Sequence, residues 1–419
     1  MMKLKVINII QHPPAYRCNL DNECPEICWD TPGGAWVGIW EGDFADLFGK
    51  EILKISSHIE YEVWRPDLRA DKIYSHTFES GVMHKSFPAK SKKVLHGLKV
   101  MEQISSASML EYLNKTAHQN TILHQNTLGD YLNQEIARRF YHLPKVINFH
   151  GKATSIPAKE MLRPRKNMLG NAFYFRRHRE LLKNKKIYFV YQNSTNIEAL
   201  SRYNSVGIAR IFSGCDFNYF KKENKLQVKK ELGIGPSTTV LSMASRFIKL
   251  KQIDRIVEIL TEIEKKHHFD FILMLAGRGE SSYEEYLKGI STHLLKKNKL
   301  RFTGFLVGGD LLKLYQASDL FISASTTEGG PTSIIKAVAC ETPVFCTRVG
   351  GVDDILEQHH AGVLVDKFAY KQWYNQLIDF LERRLSINLM DRKQAGKIFH
   401  RPNAAKKFIE IYETLSKYF

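Results

Sequence analysis

Residues 320–340 read LFISASTTEGGPTSIIKAVAC, which is the strongest structural signal in the chain. The apolar run at 320–323 is followed by a glycine-rich turn, Thr327-Glu328-Gly329-Gly330-Pro331-Thr332-Ser333, and then by the apolar, helix-compatible residues 334–340. A strand that enters a helix through a tight turn is the repeating unit of a parallel α/β sheet. The stretch therefore predicts one strand-loop-helix unit of a Rossmann-like domain.

The turn itself has the chemistry of a diphosphate site. Its two glycines let a ligand approach the backbone, and Pro331 suits the first helical position. The amides of Thr332 and Ser333 would then point outward at the positive end of the helix dipole. Glu328 could accept hydrogen bonds from the hydroxyls of a sugar on the same diphosphate. The alternative is an ordinary strand-to-helix turn with a solvated glutamate.

The same alternation of apolar runs and helix-compatible segments extends along the whole chain. A chain of 419 residues is too long for one ordinary core, so we predict two doubly wound sheets. In the first half the apolar runs occupy residues 5–10, 61–64, 122–123, 145–149 and 187–191. In the second half they occupy residues 239–244, 271–276, 300–303, 320–323 and 343–346.

The boundary between the two domains is placed near residue 210. Residues 211–220, a charged helix at 221–232 and the break Gly233-Ile-Gly-Pro236 would form the connection. The predicted parts are two Rossmann-like domains, 1–210 and 211–400, and a C-terminal helix, 401–419, expected to pack back toward the N-terminal domain.

The charge of the chain indicates an anionic partner. The formal net charge is +17, and residues 152–186 contain eleven Lys and Arg against two Glu, or +9. Phosphate-bearing substrates, acidic membrane surfaces and nucleic acid all fit such an excess. The basic stretch between Arg163 and Lys186 also contains aromatic residues and could touch an anionic membrane; the alternative is a solvated basic surface. Nucleic acid is disfavoured, because the basic and aromatic RNA-binding motifs are missing from the sequence.

Location and thiol chemistry are predicted from what the sequence lacks. No window approaches the apolar length of a membrane helix, and no signal peptide is recognised, so we expect a cytoplasmic protein that could lie at the inner face of the membrane. The six cysteines are then expected to be reduced thiols. Cys18, Cys24 and Cys28 match no familiar zinc pattern, and no metal site is predicted.

Two cations follow the strand predicted at residues 239–244. Arg246 and Lys251 would lie at its carboxyl end, where open α/β sheets bind ligands. Two fixed cations there can neutralise a departing diphosphate. The alternative is a solvated basic loop, which is a common feature.

Several motifs together resemble the retaining glycosyltransferases with the GT-B fold and of the GT4 type (glycosyl transferases group 1). The resemblance covers the whole C-terminal half and is thinner in the N-terminal half. The C-terminal motifs are Arg246 with Lys251, Leu275-Ala-Gly-Arg-Gly279, Phe302-Thr-Gly-Phe305, Ser318-Asp319, Glu328-Gly-Gly-Pro331 and Gly350-Gly351. The N-terminal and linker motifs are Gly33-Gly34, His150-Gly151, Ser194, and Ser213-Gly-Cys-Asp216 with Phe220.

The resemblance implies an α/β protein whose two domains face each other across a cleft, with the acceptor in the first and the nucleotide sugar in the second. It implies that Arg246 and Lys251 hold the donor diphosphate and that Glu328 contacts the donor sugar. His150 would lie beside the transferred sugar, with a buried core histidine as the alternative. The remaining implied donor contacts are Gly33, Gly34, Ser194, Phe305, Gly329, Gly330, Pro331, Thr332 and Ser333.

One position departs from the family pattern. The family usually has a second glutamate eight residues after the first, where it binds the ribose, and this sequence has Lys336. Because Lys336 shares a helix face with Thr332, it is expected to look toward the nucleotide, now as a cationic donor. The ribose hydroxyls could donate to another acceptor, Lys336 could contact a phosphate or a base carbonyl, or the site could lack ordinary donor activity. We expect retained activity with altered nucleotide contacts.

The resulting functional prediction is a retaining, metal-independent transfer of a sugar from a nucleotide diphosphate to a glycan, lipid-linked or polyanionic acceptor in envelope or surface glycan synthesis. No Asp is followed two positions later by another Asp, which removes the simplest metal-binding carboxylate pair. No cofactor is expected beyond the nucleotide-sugar substrate. The rival predictions are a nucleotide-sugar epimerase or phosphorylase, and a non-catalytic protein that binds acidic glycan or nucleic acid.

Overall fold

The computed structural model describes residues 3–10, 40–68, 70–78, 80–96, 99–126, 130–150, 185–194, 197–201, 205–279 and 281–419. The chain divides into two compact units. The first comprises Met1–Phe212 together with Pro402–Phe419, and the second comprises Ser213–Arg401.

The first unit is built on a mostly parallel sheet. In the described part of the chain it has eight strands in the order β10-β9-β8-β7-β1-β2-β4-β3, and only β3 runs antiparallel to its neighbour. The central strands are buried on both faces, as a parallel sheet covered by helices requires. The strands are β1 (Leu4–Ile9), β2 (Ile59–Asp67), β3 (Tyr74–Thr77), β4 (Met83–Pro88), β7 (Thr121–Gln125), β8 (Lys145–Phe149), β9 (Ile187–Tyr191) and β10 (Gly207–Arg210).

A separate antiparallel hairpin lies between β4 and β7 in sequence. Its strands are β5 (Lys90–His96) and β6 (Lys99–Ser105). Neither the hairpin nor β3 and β4 was predicted, because their sequences are rich in Lys, Ser and His rather than in apolar runs. Strand β3 lies at the sheet edge, where strands can remain polar, whereas β4 lies between β2 and β3 and buries His84, Lys85 and Ser86, so it carries no apolar run either.

The second unit is a doubly wound parallel sheet. In the described residues its six strands have the order β13-β12-β11-β14-β15-β16. The five apolar runs predicted in this half all form strands, and β16 is an additional short edge strand. The strands are β11 (Thr239–Ala244), β12 (Phe271–Ala276), β13 (Leu300–Gly304), β14 (Leu320–Ser323), β15 (Val344–Thr347) and β16 (Val363–Val365).

The helices cover the sheets with amphipathic faces. The helix Ile253–His267 shows the pattern, because its apolar residues recur at helical spacing and are fully buried. The helices of the first unit are α1 (Trp40–Ile55), α2 (Ala107–Thr116), α3 (Tyr131–Arg139) and α4 (Ile197–Leu200). Those of the second unit are α5 (Lys225–Glu231), α6 (Ile253–His267), α7 (Ser281–Ile290), α8 (Thr292–Lys296), α9 (Gly308–Ala317), α10 (Thr332–Ala339), α11 (Gly351–Leu356), α12 (Tyr370–Leu381) and α13 (Arg392–Phe399). The last helix is α14 (Arg401–Ser416).

Helix α14 returns the chain to the first unit. Its buried face includes Phe408 and Tyr412, which pack in the same core as Val6 and Phe48. The Tyr412 hydroxyl lies 2.7 Å from Nδ1 of the buried His124 on β7. The first unit is therefore discontinuous in sequence. Among the described residues, no helix is both long and apolar enough to cross a membrane.

Candidate functional site

The second unit has a cavity of about 140 Å³ at the carboxyl ends of the neighbouring strands β11 and β14. This edge of an open α/β sheet is where ligands bind, because the loops that leave adjacent strands diverge there. The cavity is lined by Met243, Ala244, Ser245, Arg246, Lys251, Phe321, Ile322, Ser323, Glu328 and Ser333. Four of the predicted donor-site residues thus line one cavity: Arg246, Lys251, Glu328 and Ser333.

Two loops bring Lys251 and Glu328 into contact. The loop after β11 ends in a short 3-10 turn, Lys249–Lys251, and the amide of Thr326 donates to the carbonyl of Leu250 at 2.8 Å. Lys251 Nζ then lies 2.6 Å from Glu328 Oε1. The two side chains are only 18% and 12% exposed, so the ion pair is largely shielded from water. Partial burial strengthens a charge-assisted hydrogen bond of this kind.

Arg246 is positioned by its neighbour Phe247. Phe247 is buried, its amide donates to the carbonyl of Arg278 at 2.8 Å, and its ring packs edge-on against Phe302. Gly277 permits this contact, because a Cβ there would lie 1.8 Å from the Ser245 carbonyl oxygen and its φ is +142°. The glycines of the 275–279 motif therefore allow two backbone segments to touch. That contact fixes the loop bearing Arg246.

The glycine-rich turn leads directly into helix α10. The helix begins at Thr332, and Pro331 precedes it with φ −73° and a non-helical ψ of 82°. Pro331 is thus the N-cap residue rather than the first helical residue as predicted, although its fixed φ still suits the start of a helix. Among the described residues, no side chain caps this helix, and Ser333 of its first turn lines the cavity.

The turn is also packed against the start of α11. A Cβ on Gly351 would lie 2.0 Å from the Gly329 carbonyl oxygen and 3.2 Å from Pro331 Cδ. Only glycine leaves room for this approach. Two motifs that are separate in sequence therefore pack directly against each other in the structure: Gly350-Gly351 and Glu328-Gly-Gly-Pro331.

Phe305 and Lys336 lie outside this cavity. Phe305 follows β13 and is 51% exposed, at the same carboxyl edge of the sheet. Lys336 has its Nζ 5.1 Å from the centre of the Phe220 ring, and its expected contact with the nucleotide stays a prediction. Phe220 belongs to the segment 213–220, which lies beside α10. Arg392 links this segment to α10 by donating hydrogen bonds to the carbonyls of Phe217 and Ala339. An aromatic face is a favourable partner for this ammonium group.

His150 lies in the first unit, directly after β8, within a cluster of side-chain amides. Its Nε2 is 2.9 Å from Asn126 Oδ1 and 3.2 Å from Asn148 Nδ2, and its Nδ1 is 2.7 Å from Gln192 Nε2. Asn126 and Gln192 are the residues that directly follow β7 and β9, the two neighbours of β8. The cluster therefore joins three adjacent strand ends.

The two shorter contacts of His150 favour one tautomer, and Asn148 fits it only with its Oδ1, which has no hydrogen-bond partner among the described residues, turned toward Nε2. Asn126 Nδ2 donates to Asn8 Oδ1 at 2.7 Å, so its Oδ1 faces the imidazole and accepts a proton from Nε2. Gln192 then donates to the unprotonated Nδ1. Burial lowers the pKa of His150 to about 3, which keeps the ring neutral.

Asn126 and Gln192 were missed by the sequence analysis. Their signal was present, because an amide residue directly follows an apolar strand in both cases. Ser194, which was predicted, is exposed two residues beyond Gln192. Gly33, Gly34, Cys18, Cys24, Cys28 and the basic residues 163–184 lie outside the described residues.

A comparison with known protein families matches residues 224–397 to the family described as Glycosyl transferases group 1. This range contains Arg246, Lys251 and Glu328 and ends shortly before helix α14. This part of the chain is similar to the group 1 glycosyl transferases. The resemblance drawn from the motifs is confirmed, and the cavity described above lies inside the group 1 domain.

Curated relatives match a limited part of the chain. It is 26% identical over 180 residues to a D-inositol 3-phosphate glycosyltransferase of Segniliparus rotundus, covering 43% of this chain and 40% of that protein. It is 26% identical over 213 residues to the N-acetyl-alpha-D-glucosaminyl L-malate synthase of Bacillus anthracis, covering 50% and 53%. The chain thus spans about half the length of these relatives.

Solved structures match nearly the whole chain. Sucrose-phosphate synthase of Thermosynechococcus elongatus superposes with a TM-score of 0.69 at 14% identity, covering 99% of both chains. Anabaena HepE in complex with UDP and glucose gives a TM-score of 0.65 at 15% identity, covering 98% of this chain and 100% of that one. At these identities the similarity shows the fold. The predicted GT-B fold, with two α/β units, is confirmed.

Proposed function

We propose that the chain transfers a sugar from a nucleotide-diphosphate donor to an acceptor, with retention of configuration and without a metal ion. The observation that carries the proposal is the cavity of the group 1 domain, where Arg246, Lys251, Glu328 and the first turn of α10 meet. Two cations and a helix N-terminus suit a diphosphate. A carboxylate beside them suits the hydroxyls of an attached sugar.

The charge changes of the reaction fit these groups. In glycosyl transfer, positive charge develops on the anomeric carbon while negative charge collects on the departing diphosphate. Fixed cations and helix-terminal amides interact more strongly with that transition state than with the ground state. Arg246 and Lys251 would therefore act as electrostatic stabilisers, and no protein nucleophile would be required.

Uridine diphosphate sugars are the first donors to test. HepE of Anabaena, whose fold matches this chain, has been solved with UDP, with UDP-glucose, and with UDP and glucose. The other common nucleotides are tested as well, because Lys336 replaces the glutamate that usually binds the ribose and could change which nucleotide is bound.

For the acceptor we propose an anionic molecule, free, lipid-linked or part of a glycan. The net charge of +17 favours such a partner, and two relatives are named for inositol phosphate and malate, which are both anionic. A role in envelope or surface glycan synthesis, on the cytoplasmic side of a membrane, is consistent with an acceptor of this class.

Calorimetry with UDP, GDP, ADP and TDP tests the donor site. Wild-type protein should bind at least one of these nucleotides, and Arg246→Ala or Lys251→Ala should weaken that binding by about tenfold or more, since each removes a charge-assisted hydrogen bond. Lys249→Ala is the matched control, because Lys249 is an exposed cation in the same loop that does not line the cavity. Equal effects of all three substitutions would contradict the site.

A transfer assay tests the chemistry. Candidate nucleotide sugars and anionic acceptors are incubated with and without EDTA, and the anomeric configuration of the product is read by proton NMR. Retained activity in EDTA and retained configuration are expected. Donor conversion that does not depend on the acceptor would instead favour an epimerase.

A further inference from the structure

The ion pair between Lys251 and Glu328 lies within the cavity that would receive the diphosphate. Both side chains line it together with Arg246 and Ser333. Lys251 Nζ and Glu328 Oε1 are 2.6 Å apart, and the pair is mostly shielded from water. A carboxylate therefore occupies one of the positions from which an anionic ligand would contact Lys251.

A diphosphate and the Glu328 carboxylate are both anionic and would compete for the ammonium group of Lys251. Lys251 is a compact point charge with three N–H donors, and the Glu328 carboxylate at 2.6 Å takes one of them as a phosphate oxygen would. Two anionic groups around one ammonium group repel each other, and low solvent exposure strengthens that repulsion. We therefore expect a bound diphosphate to weaken the bond between Lys251 and Glu328.

We propose that Glu328 is an internal competitor for the diphosphate and makes the site discriminate between a nucleotide sugar and the nucleoside diphosphate left after transfer. The inference rests on the proposed function. An intact donor takes Lys251 with its diphosphate and supplies sugar hydroxyls that donate to the released carboxylate. A nucleoside diphosphate takes Lys251 but lacks the transferred sugar, so it does not supply that sugar's hydroxyls to the carboxylate.

The consequence is weak retention of the product. After transfer, Glu328 regains Lys251 and favours dissociation of the nucleoside diphosphate. Glu328 is thus a specificity-determining residue whose effect has opposite signs for donor and product. A residue that only stabilised the fold or only contributed binding energy would change both affinities in the same direction.

Glu328→Gln tests the proposal, because the amide keeps the shape of the side chain and removes its charge. The dissociation constant for the nucleoside diphosphate bound by wild type, measured by calorimetry, should fall by about fivefold, while KM for the nucleotide sugar rises. Glu328→Ala removes the same charge with a different shape and should also tighten nucleoside diphosphate binding. If either variant fails to fold, as judged by circular dichroism, the other supplies the result.

Glu341→Gln is the matched control. Glu341 lies in the same unit and pairs with Lys222 at 3.4 Å, and it does not line the cavity. Its substitution should leave nucleoside diphosphate binding unchanged. An equal gain in Glu341→Gln would identify a general charge effect and overturn the proposal.

The remaining outcomes distinguish the competitor role of Glu328 from the proposed glycosyl transfer on which it rests. Unchanged or weaker nucleoside diphosphate binding in the Glu328 variants, with the Arg246 and Lys251 dependence intact, overturns the competitor role and leaves the donor site standing. If wild-type protein binds none of the four nucleoside diphosphates, both proposals fall.

Discussion

His150 shows how neighbouring strands can set the chemistry of one side chain. Its two ring nitrogens meet Asn126 and Gln192, which follow the strands on either side of β8. The hydrogen bonds favour the Nε2–H tautomer, and burial opposes protonation. At neutral pH the ring is then a fixed, uncharged group. A role as a proton-transferring acid is disfavoured, because such a role needs a pKa near the working pH.

The neutral state of His150 can be measured directly. With ¹⁵N-labelled histidine, NMR should show an Nε2–H tautomer that persists from pH 8 down to pH 5, and His150→Gln identifies the signal by its loss. Protonation above pH 5 would contradict the assignment. The unfolded chain protonates its histidines near 6.5, so the contribution of His150 to stability is complete above that pH and is lost as pH falls toward 3.

At the scale of elements, the donor cavity depends on contacts between loops that the sheet brings together. The turn before α10 touches the start of α11 through Gly329 and Gly351, and the loop after β11 touches the segment after β12 through Ser245 and Gly277. Both contacts are backbone against backbone. They fix the loop bearing Arg246 and the turn bearing Glu328 without using the side chain of either residue.

Gly351→Ala should disturb this packing. The new Cβ would lie 2.0 Å from the Gly329 carbonyl oxygen, so the turn must shift. We expect a loss of ~1–3 kcal/mol in the free energy of unfolding, as for other overpacked sites, and weaker nucleoside diphosphate binding. Urea denaturation and calorimetry measure the two effects.

Gly289→Ala is the control for Gly351→Ala. Gly289 lies in helix α7, and apart from its chain neighbours and its own helix backbone no atom of the described residues lies within 4 Å of the position its Cβ would take. Alanine there should stabilise the protein by ~0.5–1 kcal/mol, because it lowers the entropy of the unfolded chain. Equal destabilisation by both substitutions would show that the contact with Gly329 is not the cause.

The elements themselves were predictable where burial on both faces demands continuous apolar runs. Strand β12, Phe-Ile-Leu-Met-Leu-Ala, is such a case. Strand β3, Tyr-Ser-His-Thr, is not, because it lies at the edge of its sheet and three of its four residues are exposed. Strand propensity and hydrophobic periodicity do not predict such an edge strand, because no core selects apolar side chains at alternate positions.

At the scale of the whole molecule, the chain leaves the first unit at Phe212 and returns to it at Pro402. Helix α14 then supplies part of that unit's core through Phe408, Tyr412 and their buried neighbours. The folding of the first unit therefore requires residues that are synthesised after the entire second unit.

Truncation after Arg401 should destabilise the first unit selectively. Hydrogen exchange followed by mass spectrometry should show loss of protection in β1, β2 and β7, with protection in Ser213–Arg401 retained. Truncation after Ser416 removes only the three exposed residues 417–419 and should have no such effect. Equal protection of the first unit in both truncated proteins would contradict a structural role for α14.

The sequence by itself determined the alternation of strands and helices, the glycine-rich turn before α10 and the cations after β11. These features are local, because a buried parallel strand, a helix start and a short loop each require particular residues at fixed spacing. The tertiary structure alone decided that Lys251 pairs with Glu328, that Lys336 covers Phe220 and that Asn126 and Gln192 hold His150. Each of these contacts joins residues far apart in sequence or on neighbouring strands, and its partner is selected by sheet order and loop packing, which no local pattern encodes.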